Sequence, residues 1–311
     1  MMKPTAQPTV EEVGTRMVLG PQPRRRSVGS ALAGIVRFAR LSPAGTISAL
    51  FLILIALVAV FAPVLTPYDP LAGDYSITRH APTLQHLMGT DDLGRDVLSR
   101  IIDGARITML VSVTSTLIGG AIAFLWGVAS GYLGGRFDML SQRIIEVLMS
   151  FPTLILAMLL LISMNAGIQP VIIAIAVTQV PGATRIVRSA ALTTRSLAYV
   201  DAARCLGASP IRIMLREIAP QCLAPFFVVL TLNLGSAVFA EAGLSFLGVG
   251  VPPPAPSWGN MLGGVLAASF RPSWWLVLFP GVAITLTVMA ANLFGDALRD
   301  FLDPRLKQQV S

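Results

Sequence analysis

His80 and His86 are the only imidazoles in this chain. They stand six apart with no cysteine cluster near them, which is not the spacing of a zinc site, and no metal-ligating set is expected. The run Gly243-Leu244-Ser245-Phe246-Leu247-Gly248 has the outline of a nucleophile elbow, but Leu247 stands where the second glycine should be. A serine nucleophile also needs a base beside it, and both histidines lie in a distant loop. An intramembrane protease is therefore disfavoured. The only lysines are Lys3 and Lys307, both in tails, so there is no glycine-rich phosphate loop ending in Lys and Ser or Thr. The chain is expected to be a non-enzyme that binds no cofactor of its own.

Uncharged polar side chains inside long apolar runs remain as candidates. Ser112, Thr116, Asn165, Gln179, Asn233, Ser236 and Asn292 could line a path through a helical bundle. The same residue types also supply hydrogen bonds between membrane helices, and both readings stay open. A charge at the centre of a span costs about 2.5–3.5 kcal/mol and is kept only where it is used. The run centres hold no Asp, Glu, Lys or Arg, and Glu146, Glu241 and Asp296 lie toward run ends. No proton or sodium relay is visible, which disfavours a secondary transporter or channel.

The elements that must carry these residues are membrane helices. The 311 residues are 54% hydrophobic and 13% charged, with mean hydropathy +0.72, a composition that excludes an ordinary soluble domain. Six runs, near 47–65, 108–133, 144–163, 170–187, 220–240 and 274–294, are long enough to cross a core about 30 Å thick. The fourth is interrupted by Gln179, Pro181 and Gly182. With both termini in the cytoplasm, eighteen of the 23 basic residues fall inside, and only Arg79, Arg95, Arg100, Arg106 and Arg271 fall outside. The net charge of +7 follows from this bias toward anionic lipid, and nucleic acid is not an expected partner. The first apolar run exceeds the roughly 7–15 residues of a cleavable signal, so it is expected to remain as a span. Cys205 and Cys222 fall in or near a cytoplasmic loop, where a disulfide is not expected.

The domain reading follows. Residues 1–27 form a disordered cytoplasmic tail, and 28–65 an interfacial helix followed by the first span. Residues 66–107 form an extracytoplasmic loop. A membrane-spanning core covers 108–300 and includes a cytoplasmic loop at 195–220, and 301–311 are a C-terminal tail. Gly259 to Ala268 reads as a short outer helix, too short for a seventh span. Pro252 to Pro256 with Trp258, Trp274 and Trp275 read as a rigid outer loop with an aromatic anchor. Within 86–106 acids and arginines alternate, which suits either an ion-pair lattice or a docking surface.

The loop at 195–220 carries the most specific pattern. Asp201-Ala202-Ala203 is followed by Arg204, Gly207, Arg212 and then Pro220, thirteen residues after the glycine. This resembles the coupling loop of ABC-importer permease subunits. Three further segments resemble the "C"-type membrane subunit of the dipeptide and oligopeptide (and nickel) transport family. They are His86 through Arg106, Glu241-Ala242-Gly243-Leu244-Ser245-Phe246-Leu247-Gly248-Val249-Gly250, and Asn292-Leu293-Phe294-Gly295-Asp296 onward to Arg305. The chain departs from the family at Asp201, where Glu is usual, at Ala219, where Leu is common, and at the acidic Glu217.

The resemblance implies an all-α integral membrane protein of about six transmembrane helices with the type I importer permease fold, in a bacterial inner membrane. It implies a second, dissimilar permease subunit, two ATP-binding subunits that use ATP and Mg, and an extracytoplasmic substrate-binding protein. It implies cargo of di- or oligopeptides, with nickel chelates or glutathione as alternatives. It also implies that a helix over 200–208 docks in an ATPase groove. There Arg204 and Arg212 would meet either acidic groups of that subunit or lipid phosphate.

Overall fold

The computed structural model describes residues 38–268 and 272–302. It divides into a unit Met1–Leu41, described only over residues 38–41, where it is helical, and a unit Ser42–Ser311. The expected tail at 1–27, all of the expected tail at 301–311 except residues 301 and 302 (which continue the last helix), Arg271, and most of the interfacial helix at 28–41 lie outside the described residues. The second unit is described below.

Ten helices order it: α1 Pro43–Leu65, α2 Val97–Leu133, α3 Gly135–Met149, α4 Thr153–Ile162, α5 Ile168–Arg195, α6 Ala198–Cys205, α7 Pro210–Ile213, α8 Ala219–Phe246, α9 Trp258–Ala268 and α10 Trp274–Leu302. A π-helical turn at Met214–Ile218 joins α7 to α8, so Pro210–Phe246 forms one rod. Helices α1, α2, α5 and α10 and the α7–α8 rod are each long and apolar enough to cross a membrane. The fold is all-helical, as expected, and the short outer helix forms as α9.

Three expected boundaries are corrected. The second helix starts three turns early, at Val97, because Asp96 caps it: its Oδ2 accepts from the Ser99 N–H and O–H, both at 2.8 Å. The end of the expected loop 66–107 is therefore helical. The third run is not one continuous crossing. It breaks between α3 and α4 with an 89° bend, since Pro152 has no N–H to continue the ladder and pushes Phe151 out of helical backbone. The expected loop 195–220 is also shorter than its reading, because α5 runs on to Arg195 and the rod of α8 already starts at Pro210. Proline inside α5 and α8 does not break them, because neighbouring helices accommodate the freed carbonyls.

Close packing of α2 on α5 is the centre of the bundle. A Cβ at Gly119 would lie 2.6 Å from the Ala176 carbonyl oxygen, at Gly127 2.7 Å from Val187 Cβ, and at Gly131 2.6 Å from Ala191 Cβ. With Ala123 between them, these positions repeat every four residues and form one smooth ridge that lets the backbones meet. The paired numbers rise together, so α2 and α5 run parallel. Helix α8 runs antiparallel to both: Gly120 faces Leu230, and Thr108 bonds Glu241. Helix α10 runs antiparallel to α8, with Gly235 against Asn292 and Gly295 against Leu232.

These directions place Arg136, Arg143, Arg185, Arg188, Arg195, Arg204, Arg212, Arg216 and Arg299 toward one end of the bundle. The opposite end carries the acid-rich segment 66–103, the aromatic anchors and α9. Along α1, Ile47, Leu50, Leu54, Val60 and Val64 are exposed, the surface of a helix whose solvent is lipid.

Substituting Gly127 tests the ridge. Gly127→Leu forces α2 from α5 and should destabilise the chain by about 1–3 kcal/mol, lowering its melting temperature in detergent. Gly182→Ala, whose Cβ meets nothing within 4 Å, should be neutral or stabilising by about 0.5–1 kcal/mol. Equal melting temperatures for the Gly127→Leu variant and the parent would contradict this packing.

Candidate functional site: a coupling segment and the polar node above it

The helix expected over 200–208 forms as α6. It starts two residues before the expected 200–208 and ends at Cys205. Asp201 lies in its first turn and Arg204 in its last, each favourable against the helix dipole. Its end is a Schellman motif: the Gly207 N–H donates to the Arg204 carbonyl at 2.9 Å and the Ala208 N–H to the Ala203 carbonyl at 3.1 Å. This geometry requires the left-handed backbone, and Gly207 has φ +76 with nothing within 4 Å of an added Cβ. The glycine serves the turn, and no close approach within the chain demands it.

Apolar anchoring holds the segment to the bundle. Val200, Ile213 and Ile218 are fully buried with Tyr132 and Val128 of α2, Val187 and Ala191 of α5, and Cys222 of α8. Ala203 and Ala208 pack against this cluster, while Ala202 is exposed. The opposite face is apolar and open: Leu206 is 88% exposed, and Ile211 and Leu215 are also exposed. An exposed leucine beside charged residues, on a helix clamped from behind, is the form of a docking surface. The Tyr199 hydroxyl donates to the Glu217 carbonyl at 3.4 Å. Burial first, and then the Glu217 carboxylate, raises its pKa, so it remains a neutral donor.

The arginines divide. Arg204 pairs with Asp201 at 2.8 Å and sits over the Tyr132 ring at 5.7 Å within the chain. Its charge is used to hold α6 to itself and to α2. Arg212 is exposed, its backbone N–H donates to the Ser209 Oγ at 3.4 Å, and its guanidinium makes no ion pair among the described residues. Pro220 is exposed, two residues past the π-helical turn that leads into α8.

Four of the seven candidate path residues converge. Ser112 and Thr116 are buried one turn apart on α2, and Gln179 of α5 reaches Thr116 and the main chain of Asn233 on α8. The Gln179 Nε2 donates to Thr116 Oγ at 3.5 Å and to the Asn233 carbonyl oxygen at 3.4 Å. The other three do not join them. Asn165 is exposed between α4 and α5. Ser236 is exposed, its hydroxyl turned back to the Leu232 carbonyl at 3.3 Å. Asn292 packs beside Gly235 on the far side of α8.

Two polar anchors went unread in the sequence. Glu241 is fully buried, accepting from the Thr108 hydroxyl at 3.0 Å and the Ser245 hydroxyl at 2.8 Å. Ser245 accepts from the Val251 N–H, and Thr108 from the Trp258 N–H, so one carboxyl group ties α2 to α8 and fastens the loop between α8 and α9. At the other end Arg188 of α5 holds Asp138 of α3 through two bonds of 2.5 Å, and Ser130 of α2 donates to the same carboxylate. A run-end acid followed four residues later by serine was the available signal for the first anchor. The second joins residues fifty apart and had none.

The segment before α2 carries the ion-pair lattice. Asp91 pairs with Arg95 at 2.7 Å and Arg100 at 3.5 Å, His86 with Asp96 at 2.9 Å, and Arg79 with Asp92. Arg100 also donates to the Pro70 carbonyl at 3.0 Å. Much of the 86–106 charge pattern is therefore satisfied internally.

Comparison with known proteins agrees with this architecture. Residues 123–308 match the family described as the binding-protein-dependent transport system inner membrane component. Residues 35–82 match the N-terminal transmembrane domain of oligopeptide transport permease C. The chain is 42% identical over 272 residues to the glutathione transport system permease protein GsiD of Escherichia coli, covering 87% of this chain and 89% of that one. It is 40% identical over 264 residues to the di/tripeptide transport system permease protein DppC of Pseudomonas aeruginosa, covering 83% and 87%. A chain of the MetNI methionine ABC transporter, solved in inward facing conformations, shares the fold with TM-score 0.50 and 20% identity, over 63% of this chain and 94% of that chain. This chain belongs to the binding-protein-dependent transport system inner membrane component family and is a multi-pass inner-membrane permease subunit of an ABC importer.

Proposed function

We propose that this subunit carries di- or oligopeptides delivered by an extracytoplasmic binding protein, paired with a second, dissimilar permease. Both chain ends lie on the cytoplasmic side, and two separate ATPase subunits supply the energy. Peptide cargo is supported by the di/tripeptide relative, and glutathione, itself a small peptide, falls within the same chemistry. A nickel chelate is the alternative cargo; neither relative named above is described as carrying one.

One observation carries the coupling role. The short segment 196–209 connects the end of α5 to the start of the α8 rod, and those two helices carry Gln179 and Asn233. ATPase closure acting on the open face of α6, around Leu206, Ile211 and Arg212, would reach both helices at once and change the distance between them. Asp201, Ala202, Ala203, Arg204, Gly207 and Pro220 shape and hold that segment. No ATP or Mg is bound by this chain; both belong to the ATPase partners.

Two outcomes are expected. Purified alone in detergent, the chain shows no nucleotide binding, and saturable ATP binding would overturn the division of labour. In the assembled complex, Gly207→Val places a β-branched residue at φ +76, at a cost of at least about 1–2 kcal/mol, and weakens both ATPase co-purification and transport. Gly207→Asn, which accepts that backbone, keeps most of both. Full transport by the Gly207→Val complex would remove the coupling role from this segment.

A further inference from the structure

Three buried side-chain atoms among the described residues lack a hydrogen-bond partner: Ser112 Oγ, Gln179 Oε1 and Asn233 Nδ2. They lie on α2, α5 and α8, the three helices that Gln179 links through Thr116 and the main chain of Asn233. Buried polar groups are ordinarily paired, because leaving one unmade forfeits its solvation with no return. Three such groups on three adjoining helices, with none elsewhere among the described residues, mark a place shaped for something that arrives.

The chemistry of the open atoms is specific. Gln179 Nε2 faces the Asn233 carbonyl oxygen at 3.4 Å, and only an N–H can face a carbonyl, so the amide orientation is set and Oε1 is the open acceptor. Asn233 contributes an open donor from the neighbouring helix. Ser112, fully buried one turn from Thr116, adds a hydroxyl that can donate or accept. No ionised side chain belongs to the node, so it offers nothing to balance a metal ion, a carboxylate or an ammonium group. One donor beside one acceptor is the complement of a single neutral amide.

We propose that Gln179 and Asn233 form a docking point for one peptide unit of the substrate backbone. Asn233 Nδ2 donates to its carbonyl oxygen, Gln179 Oε1 accepts from its N–H, and Ser112 completes the lining. The inference rests on the peptide reading above and deepens it. Such a site reads the backbone that all peptides share and leaves substrate side chains unread. In the present state the two helices hold the site closed through their direct contact. Separating α5 from α8, the helices joined by the coupling segment, would open it.

The test uses the complete importer with its binding protein in proteoliposomes. Uptake of alanyl-alanine is compared with uptake of alanyl-lactate, in which an ester oxygen replaces the amide N–H. Any preference set by the binding protein is common to all variants, so the change in the amide-to-ester uptake ratio reports the permease alone. Gln179→Leu removes the acceptor and should reduce that ratio by about tenfold. Asn233→Leu removes the donor to a carbonyl present in both probes, so it should lower uptake of both and leave the ratio unchanged. Gln179→Met supplies a closer shape match should the leucine variant fail to assemble. An unchanged ratio in the assembled Gln179 variants, with wild-type uptake intact, overturns the docking point and leaves a contact that only holds helices together. Failure of the wild-type complex to take up either probe overturns the peptide reading, and the inference with it.

Discussion

Everything in this bundle depends on two helices being allowed to touch. The ridge Gly119, Ala123, Gly127, Gly131 on α2 lets α5 approach to backbone contact over four turns. Lipid supplies no hydrophobic drive for that pairing, so fit and hydrogen bonding supply it. The parallel approach sets the level at which Thr116 meets Gln179. It also brings Val187 and Ala191 against Val128 and Tyr132, forming the wall on which the coupling helix is clamped.

Polar satisfaction is distributed unevenly along the bundle axis. At the outer end Glu241 collects two hydroxyls and, through them, two backbone N–H groups. At the cytoplasmic end Arg188 and Ser130 share Asp138. Both ends are tied, while the level between them keeps three unmet hydrogen-bonding atoms. Well-satisfied networks stiffen a structure and unmet ones leave it free energy to gain from a ligand. The arrangement suits a bundle that moves as rigid pieces about a central opening.

Much of this was legible in the sequence. Apolar run length announced the helices, the arginine distribution predicted a basic end, and the acidic-Ala-Ala to Gly spacing marked the short helix α6 and its glycine turn. The acid and arginine alternation before α2 reads as the lattice that forms. Legibility failed where the deciding event is not periodic. A single Pro152 broke an apolar run that hydropathy treats as continuous, and Asp96 extended α2 beyond its apolar stretch. Contacts between distant residues, such as Asp138 with Arg188, leave no local pattern. Of the seven polar candidates, helix packing alone separated Ser112, Thr116, Gln179 and Asn233 from Asn165, Ser236 and Asn292.

The central claim is that the coupling segment moves α5 and α8 apart at the level of Gln179 and Asn233. Spin labels at Ile173 of α5 and Ser236 of α8, both exposed, would report it in the assembled importer bearing Cys205→Ser and Cys222→Ala. The inter-label distance should lengthen when ATP is trapped in the ATPase subunits and return to its starting value after hydrolysis. An unchanged distance through a normal ATPase cycle would contradict the account.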